Sequence, residues 1–111
     1  MPWRNKVKSI VQGWFLGSTA GEAVADILTG RANPSGKLPY TWWQKLGDVA
    51  AHKLGTYPGT WRDGGKIIDE EYKEGIFVGY RWADKEGIKP VFAFGHGLSY
   101  TTFRIGKATA D

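Results

Sequence analysis

The run from Val7 to Gly30 constrains this chain more than any other stretch. Val7-Lys8-Ser9-Ile10-Val11-Gln12 is short, rich in β-branched residues and bounded by Gly13, which predicts a strand. Gly17-Ser18-Thr19-Ala20-Gly21 reads as a turn. Ala20, Ala23, Val24, Ile27 and Leu28 then recur at i, i+3, i+4, i+7 and i+8, the apolar stripe of an amphipathic helix. Thr19 and Glu22 have capping-box spacing, and Gly30 stands where a helix C-cap belongs. A strand feeding a capped helix is half of a β-α-β unit, and the helix stripe needs a sheet to cover it. One strand cannot supply that sheet. The chain therefore predicts an α/β fold, a partial α/β sandwich whose other strands lie in polypeptide upstream of Met1.

The remainder is less regular. Asn33-Pro34-Ser35-Gly36 is a turn signal, and Pro39 makes Lys37–Trp43 an edge strand or an extended segment. Residues 44–71 read as loop, with Gly55, Pro58, Gly59, Gly64 and Gly65, and with room for a short helix at Asp48–Lys53. A loop of that length in a compact domain is either functional or docked on something else. Glu74–Asp84 mixes β-formers with glycines and reads equally as strand or short helix. Val91–Phe94 and Leu98–Phe103 flank a turn at Gly95-His96-Gly97, and the alternation in the second run predicts a strand.

Composition removes several function classes. At 111 residues there is room for one small domain, with a correspondingly small core. An apolar share of 41% is too high for a disordered chain, and no apolar run approaches the ~20 residues that span a bilayer. No membrane association is expected, and Met1-Pro2-Trp3-Arg4 leads into lysines rather than into the apolar core of a leader peptide. The net charge of +4 is spread from Arg4 to Lys107 without a concentrated patch, so no nucleic-acid partner is expected. There is no cysteine, which excludes disulfides and thiolate metal sites.

Four stretches, in this order and spacing, resemble glycoside hydrolase family 3, the β-glucosidase/β-xylosidase class. They are Val7–Trp14 leading into Ala23–Gly30, then Asn33–Pro39, then Glu74–Arg81, then Phe94–Phe103. The resemblance implies a long parent enzyme with a barrel, an α/β sandwich and often a fibronectin-III-like domain. It implies that residues 1–93 end the sandwich and that residues 94–111 are a connector with the first strand of the next module. It also implies a periplasmic or secreted location. One departure stands out. Many members carry Trp-Tyr-Pro-Gly-Gln-Glu-Gly-Gly before the helix, whereas this chain has Trp14-Phe15-Leu16-Gly17-Ser18-Thr19-Ala20-Gly21. The turn glycines Gly17 and Gly21 survive; the Gln-Glu pair does not.

Retaining glycoside hydrolysis needs two carboxyl groups about 5 Å apart, a nucleophile and an acid/base. The resemblance places the first on the barrel and the second upstream of Val7, so no catalytic residue is expected in this chain. Asp69-Glu70-Glu71 reads as a solvated acidic face. Glu74 reads as structural, pairing with Arg81. The turn at Gly17 matches neither a phosphate-binding loop nor a nucleophile elbow. His52 and His96 are the only imidazoles, so neither a metal nor another cofactor is expected, and His96 reads as a turn residue bonding locally. The structural set is completed by Gly17, Gly21, Gly30, Pro34, Gly36, Gly95 and Gly97.

The aromatics are the candidate sugar contacts, because sugar C–H faces pack on aromatic rings while hydroxyls bond at the edge. Trp42, Trp43, Tyr57 and Trp61, with Arg62, are the candidates, and Trp82 is a further aromatic; interdomain packing is the alternative role. Three readings follow. The chain is a fragment of an exo-acting β-glycosidase whose partners are a β-linked oligosaccharide, the missing barrel and the upstream sandwich segments. Alternatively it is a non-catalytic carbohydrate-binding or scaffold module, or a truncated product whose exposed aromatics make a homo-oligomer.

Overall fold

A computed structural model describes residues 1–110 and resolves the chain into two compact units. One comprises Met1–Gly36 with the segment from Gly97 onward; the other is Lys37–His96. The helix predicted from the apolar stripe is helix α1, Ala20–Thr29, and it ends with Gly30 in the left-handed conformation at φ 76°. A left-handed C-cap carries no side-chain penalty at glycine. The start of α1 differs from expectation. A 3₁₀ turn, Gly17–Thr19, runs directly into the helix, so Thr19 sits at φ −97°, ψ 20° and its hydroxyl caps nothing. An N-cap needs an extended backbone to aim its oxygen at the N–H groups ahead, which leaves the Thr19–Glu22 capping box unmade. Gly21 is accordingly a residue of α1 rather than of the turn.

Two predicted strands are absent for one reason. Val7–Gln12 and Leu98–Phe103 pair with no strand among the described residues. A strand exists only through its neighbour's N–H and C=O groups, and no neighbour is present. The same absence shows at α1. None of the described residues in its unit is buried, and Leu28 on the apolar stripe is 66% exposed. This part of the molecule is an α/β half-unit without its sheet.

The Lys37–His96 unit holds what core there is. Among the described residues only Thr41, Ala50, Trp82 and Ala83 are buried. Helix α2 (Ala50–Lys53) follows a 3₁₀ turn at Leu46–Asp48, and helix α3 (Tyr80–Glu86) resolves the ambiguous Glu74–Asp84 stretch as a helix entered through Gly79 at φ 56°. Trp82 ties α3 to the turn ahead of α2: it is 3% exposed and its indole N–H donates to the Asp48 carbonyl at 3.1 Å. Lys53 ties the same pair from outside, with its ammonium 2.6 Å from the Glu86 carboxylate and 5.7 Å from the Trp82 ring centroid. A second contact set closes the unit. Trp42 bridges Phe92 in antiparallel fashion, the Leu38 amide donates to the His96 carbonyl and the Gly95 amide to the Leu38 carbonyl, both at 2.8 Å, and the Phe92 ring meets Trp42 edge-on and stacks on His96.

The long segment read as loop contains a hairpin. Strand β1 (Thr60–Arg62) pairs antiparallel with strand β2 (Ile67–Asp69), with Trp61 opposite Ile68 and Arg62 opposite Ile67. Each strand is three residues long with all three exposed, so no alternation of burial was available to announce it. Its turn runs through Asp63, Gly64 and Gly65, all at positive φ. At its base, a Cβ on Gly59 would lie 2.6 Å from the Asp69 carbonyl oxygen, so the strands approach there only because residue 59 has no side chain.

Removing the Trp82 ring deletes the one large buried side chain. Trp82→Ala is expected to cost about 3–5 kcal/mol, enough to abolish the cooperative urea transition of a unit this small. Near-UV circular dichroism and a urea melt check it, and an unchanged midpoint would refute the assignment. The Lys53 hydrogen bond, followed by the charges of Lys53 and Lys85 and opposed by burial, holds the Glu86 carboxyl below the usual carboxylate range. A depressed folded value means the contact is present above the unfolded carboxylate pKa and is lost as pH falls through the folded one. An NMR titration of the Glu86 carboxyl carbon should therefore show a higher midpoint in Lys53→Met than in the parent chain. Equal midpoints would remove Lys53 as the cause.

Candidate functional site

A shallow cleft lies between helix α2 and the segment that follows strand β2. Its walls are Ala51 of α2, Thr56 and Tyr57 just beyond α2, and Glu70, Glu71, Tyr72 and Glu74 after β2. Local structure explains the placement. The Thr56 and Tyr57 amides both donate to the Ala51 carbonyl, at 2.8 and 3.2 Å, which turns the chain out of α2 and swings Tyr57 to the cleft. Tyr57 rests against the His52 ring, with centroids 4.7 Å apart. On the far wall Glu71 pairs with Lys73 at 3.2 Å. Glu74 is half-buried, and its Oε2 is shielded from solvent with no hydrogen-bond partner. The expected Glu74–Arg81 pair is therefore not formed. Arg81 instead lies 6.0 Å from the Tyr80 ring centroid. A buried acceptor left open is costly, and Glu74 faces the cleft.

The predicted sugar contacts separate in space. Tyr57, 58% exposed, lines the cleft; Trp61, 57% exposed, and Arg62 stand on β1. Arg62 is occupied by Asp69 at 2.6 Å, an ion pair across the hairpin. Trp42 belongs elsewhere, inside the aromatic row with Tyr40 and Phe92, and its indole N–H is buried without a partner. Trp43 is half-buried beside it. Trp82 is core. Of the structural set, Pro34 offers its carbonyl to Ser99 at 2.7 Å, Gly95 takes φ 79°, and His96 bonds the Ala93 carbonyl through its amide at 3.0 Å. Gly36 adopts no left-handed conformation. Sequence reading missed Tyr72, whose only signal was its place directly after the acidic run.

The cleft encloses about 50 Å³, whereas small-molecule sites typically hold about 300–1,000 Å³. It can seat a hydroxyl or an edge of a ring, not a whole sugar. No group of three or more histidine, aspartate or glutamate side chains able to hold a metal occurs among the described residues. No helix among them is long and apolar enough to cross a membrane.

Comparison with known proteins places this arrangement. Residues 1–80 match the glycosyl hydrolase family 3 C-terminal domain. The chain is 51% identical over 109 residues to beta-glucosidase BoGH3A of Bacteroides ovatus, covering 96% of this chain and 14% of that one. It is 45% identical over 111 residues to thermostable beta-glucosidase B of Acetivibrio thermocellus, covering all of this chain and 14% of the relative. Among solved structures, beta-glucosidase 3B from Thermotoga neapolitana in complex with glycerol superposes with a TM-score of 0.79 at 45% identity, over 92% of this chain and 14% of that one. The chain thus spans about one-seventh of the length of these relatives. With the family match covering most of its residues, and relatives at this identity along its whole length, the chain belongs to glycoside hydrolase family 3, as a piece of its C-terminal α/β domain.

Proposed function

We propose that this chain is a segment of a retaining exo-β-glucosidase that releases terminal β-linked sugars from oligosaccharides, and that the segment itself supplies no catalytic carboxylate. The observation that carries the reading is 45–51% identity to β-glucosidases over nearly all of this chain but only 14% of theirs. The geometry supports the second half. A working pair of carboxyls must sit about 5 Å apart across a bound sugar. Here Glu70 and Glu71 are exposed, Glu71 is paired with Lys73, and the cleft they border is too small for a ring. On this reading residues 1–93 finish the sandwich domain and 94–111 lead into a fibronectin-III-like module, with Asp111 outside the described residues. The partners are a β-linked oligosaccharide, the barrel and the upstream part of the sandwich.

A second role is favoured by the exposure of two rings. Tyr57 on the cleft wall and Trp61 on β1 each present more than half their surface, and a sugar face stacked on Tyr57 would bring a hydroxyl to the cleft that Glu74 borders. On this reading the hairpin region contacts sugar weakly, and Trp42 and Trp43 serve packing.

Two measurements test these roles. Aryl β-glucoside and aryl β-xyloside should be turned over by this chain no faster than by buffer. Robust turnover abolished by Glu70→Gln, Glu71→Gln or Glu74→Gln would place catalysis here and overturn the proposal. Cello-oligosaccharides at millimolar concentration should change tryptophan fluorescence saturably; Tyr57→Ala should abolish that response and Trp42→Phe should leave its midpoint within about twofold. Silence of the parent chain at those concentrations would leave a scaffold role alone.

A further inference from the structure

Two of the motifs that carry the family resemblance, Asn33–Pro39 and Phe94–Phe103, lie far apart in sequence, yet the fold joins Asn33 and Pro34 of the first to Ser99 and Tyr100 of the second. A helix leaves its last four carbonyls without intrahelical partners. At the end of α1 the Asp26 carbonyl accepts from the Ala32 amide at 3.1 Å, and the Ile27 carbonyl accepts from the Gly30 amide at 3.1 Å. Ile27 also receives a second donor from far along the chain: the Tyr100 phenol, at 2.8 Å and 73 residues away. The backbone of the same tyrosine is held as well. Its amide donates to Asn33 Oδ1 at 2.8 Å, and the neighbouring Ser99 hydroxyl donates to the Pro34 carbonyl at 2.7 Å.

We infer that Asn33, Pro34, Ser99 and Tyr100 form a clasp in which Tyr100 caps the C-terminal end of helix α1 from a distant part of the chain and fixes the point from which residues 101–110 depart. The residue types suit the task. Proline has a fixed φ and holds the residue before it extended, which presents the Asn33 carboxamide and the Pro34 carbonyl from a stiff platform. Serine is short enough to bond that carbonyl while its own backbone passes alongside. Tyrosine is held at both ends, amide and phenol, so its ring acts as a strut of set length between the platform and the helix terminus. An ion pair of Arg31 with Asp26 flanks the same corner. The clasp lies wholly within one compact unit, the one without a buried residue. These polar bonds therefore do in that unit what packing does elsewhere. The inference stands independently of the proposed activity.

Amide hydrogen exchange on the full chain tests it. Ser99→Ala and Tyr100→Phe each remove one bond without touching the Gly30 and Ala32 amides. Both variants should nonetheless speed exchange at Gly30 and Ala32 about two- to fivefold, with the Trp82 and Ala83 amides of α3 unchanged. Asn33→Ala combined with Tyr100→Phe should accelerate exchange by less than the product of the two single effects, since either variant opens the same clasp. Unchanged Gly30 and Ala32 amides in both single variants, an equal rise across α3, or a fully multiplicative double variant would overturn it.

Discussion

The Lys37–His96 unit depends on one indole. Trp82 is the only large side chain there with nearly all its surface covered, and its indole N–H is met by the Asp48 carbonyl of the turn ahead of α2. Packing and hydrogen bonding thus converge on a single residue. Ala50 and Ala83 are the other buried apolar residues. The two lysines that approach Trp82, Lys53 and Lys85, each with an ammonium 5.7 Å from its ring, shield it where no further protein layer does. Lysine stems cover apolar surface while their charged heads stay in water.

The other unit has no such centre. Helix α1 was legible from sequence because a 3.6-residue period needs no partner to be recognised, and its left-handed Gly30 was legible for the same local reason. The strands at Val7–Gln12 and Leu98–Phe103 were read from β-branched residues and alternation, and those signals presume a neighbouring strand that neither run has among the described residues. The 3₁₀ turn at Gly17–Thr19, which cancels the capping box, depends on how the chain enters the helix rather than on which residues lie at its start. The β1–β2 hairpin was missed because its strands are three residues long and exposed on both faces, so neither alternation nor an apolar run could mark them.

The candidate site was legible in part. Tyr57 and Trp61 were picked for chemistry and are exposed, whereas Trp42, picked on the same chemistry, lies against Tyr40 and Phe92, and Trp43 is half-buried. Side-chain type cannot separate these roles, because a ring that stacks on sugar and a ring that stacks on phenylalanine look alike in sequence. Their exposure in the fold differs, which the sequence does not print. Glu74 shows the converse: the expectation of a buried charge with a partner was reasonable, but its Oε2 has none, and its supposed partner Arg81 turns to an aromatic ring.

The hairpin is unequal at its two ends. At the base, Gly59 admits no side chain without striking the opposite strand, while at the tip Gly64 and Gly65 face open space. Sequence drift in this region is therefore channelled. Lengthening, shortening and re-lettering of the loop can accumulate at the tip, where exposed turns tolerate change, while the root stays pinned. Among relatives, the tip of the hairpin can then differ in length and chemistry from one protein to the next without altering the root on which it stands.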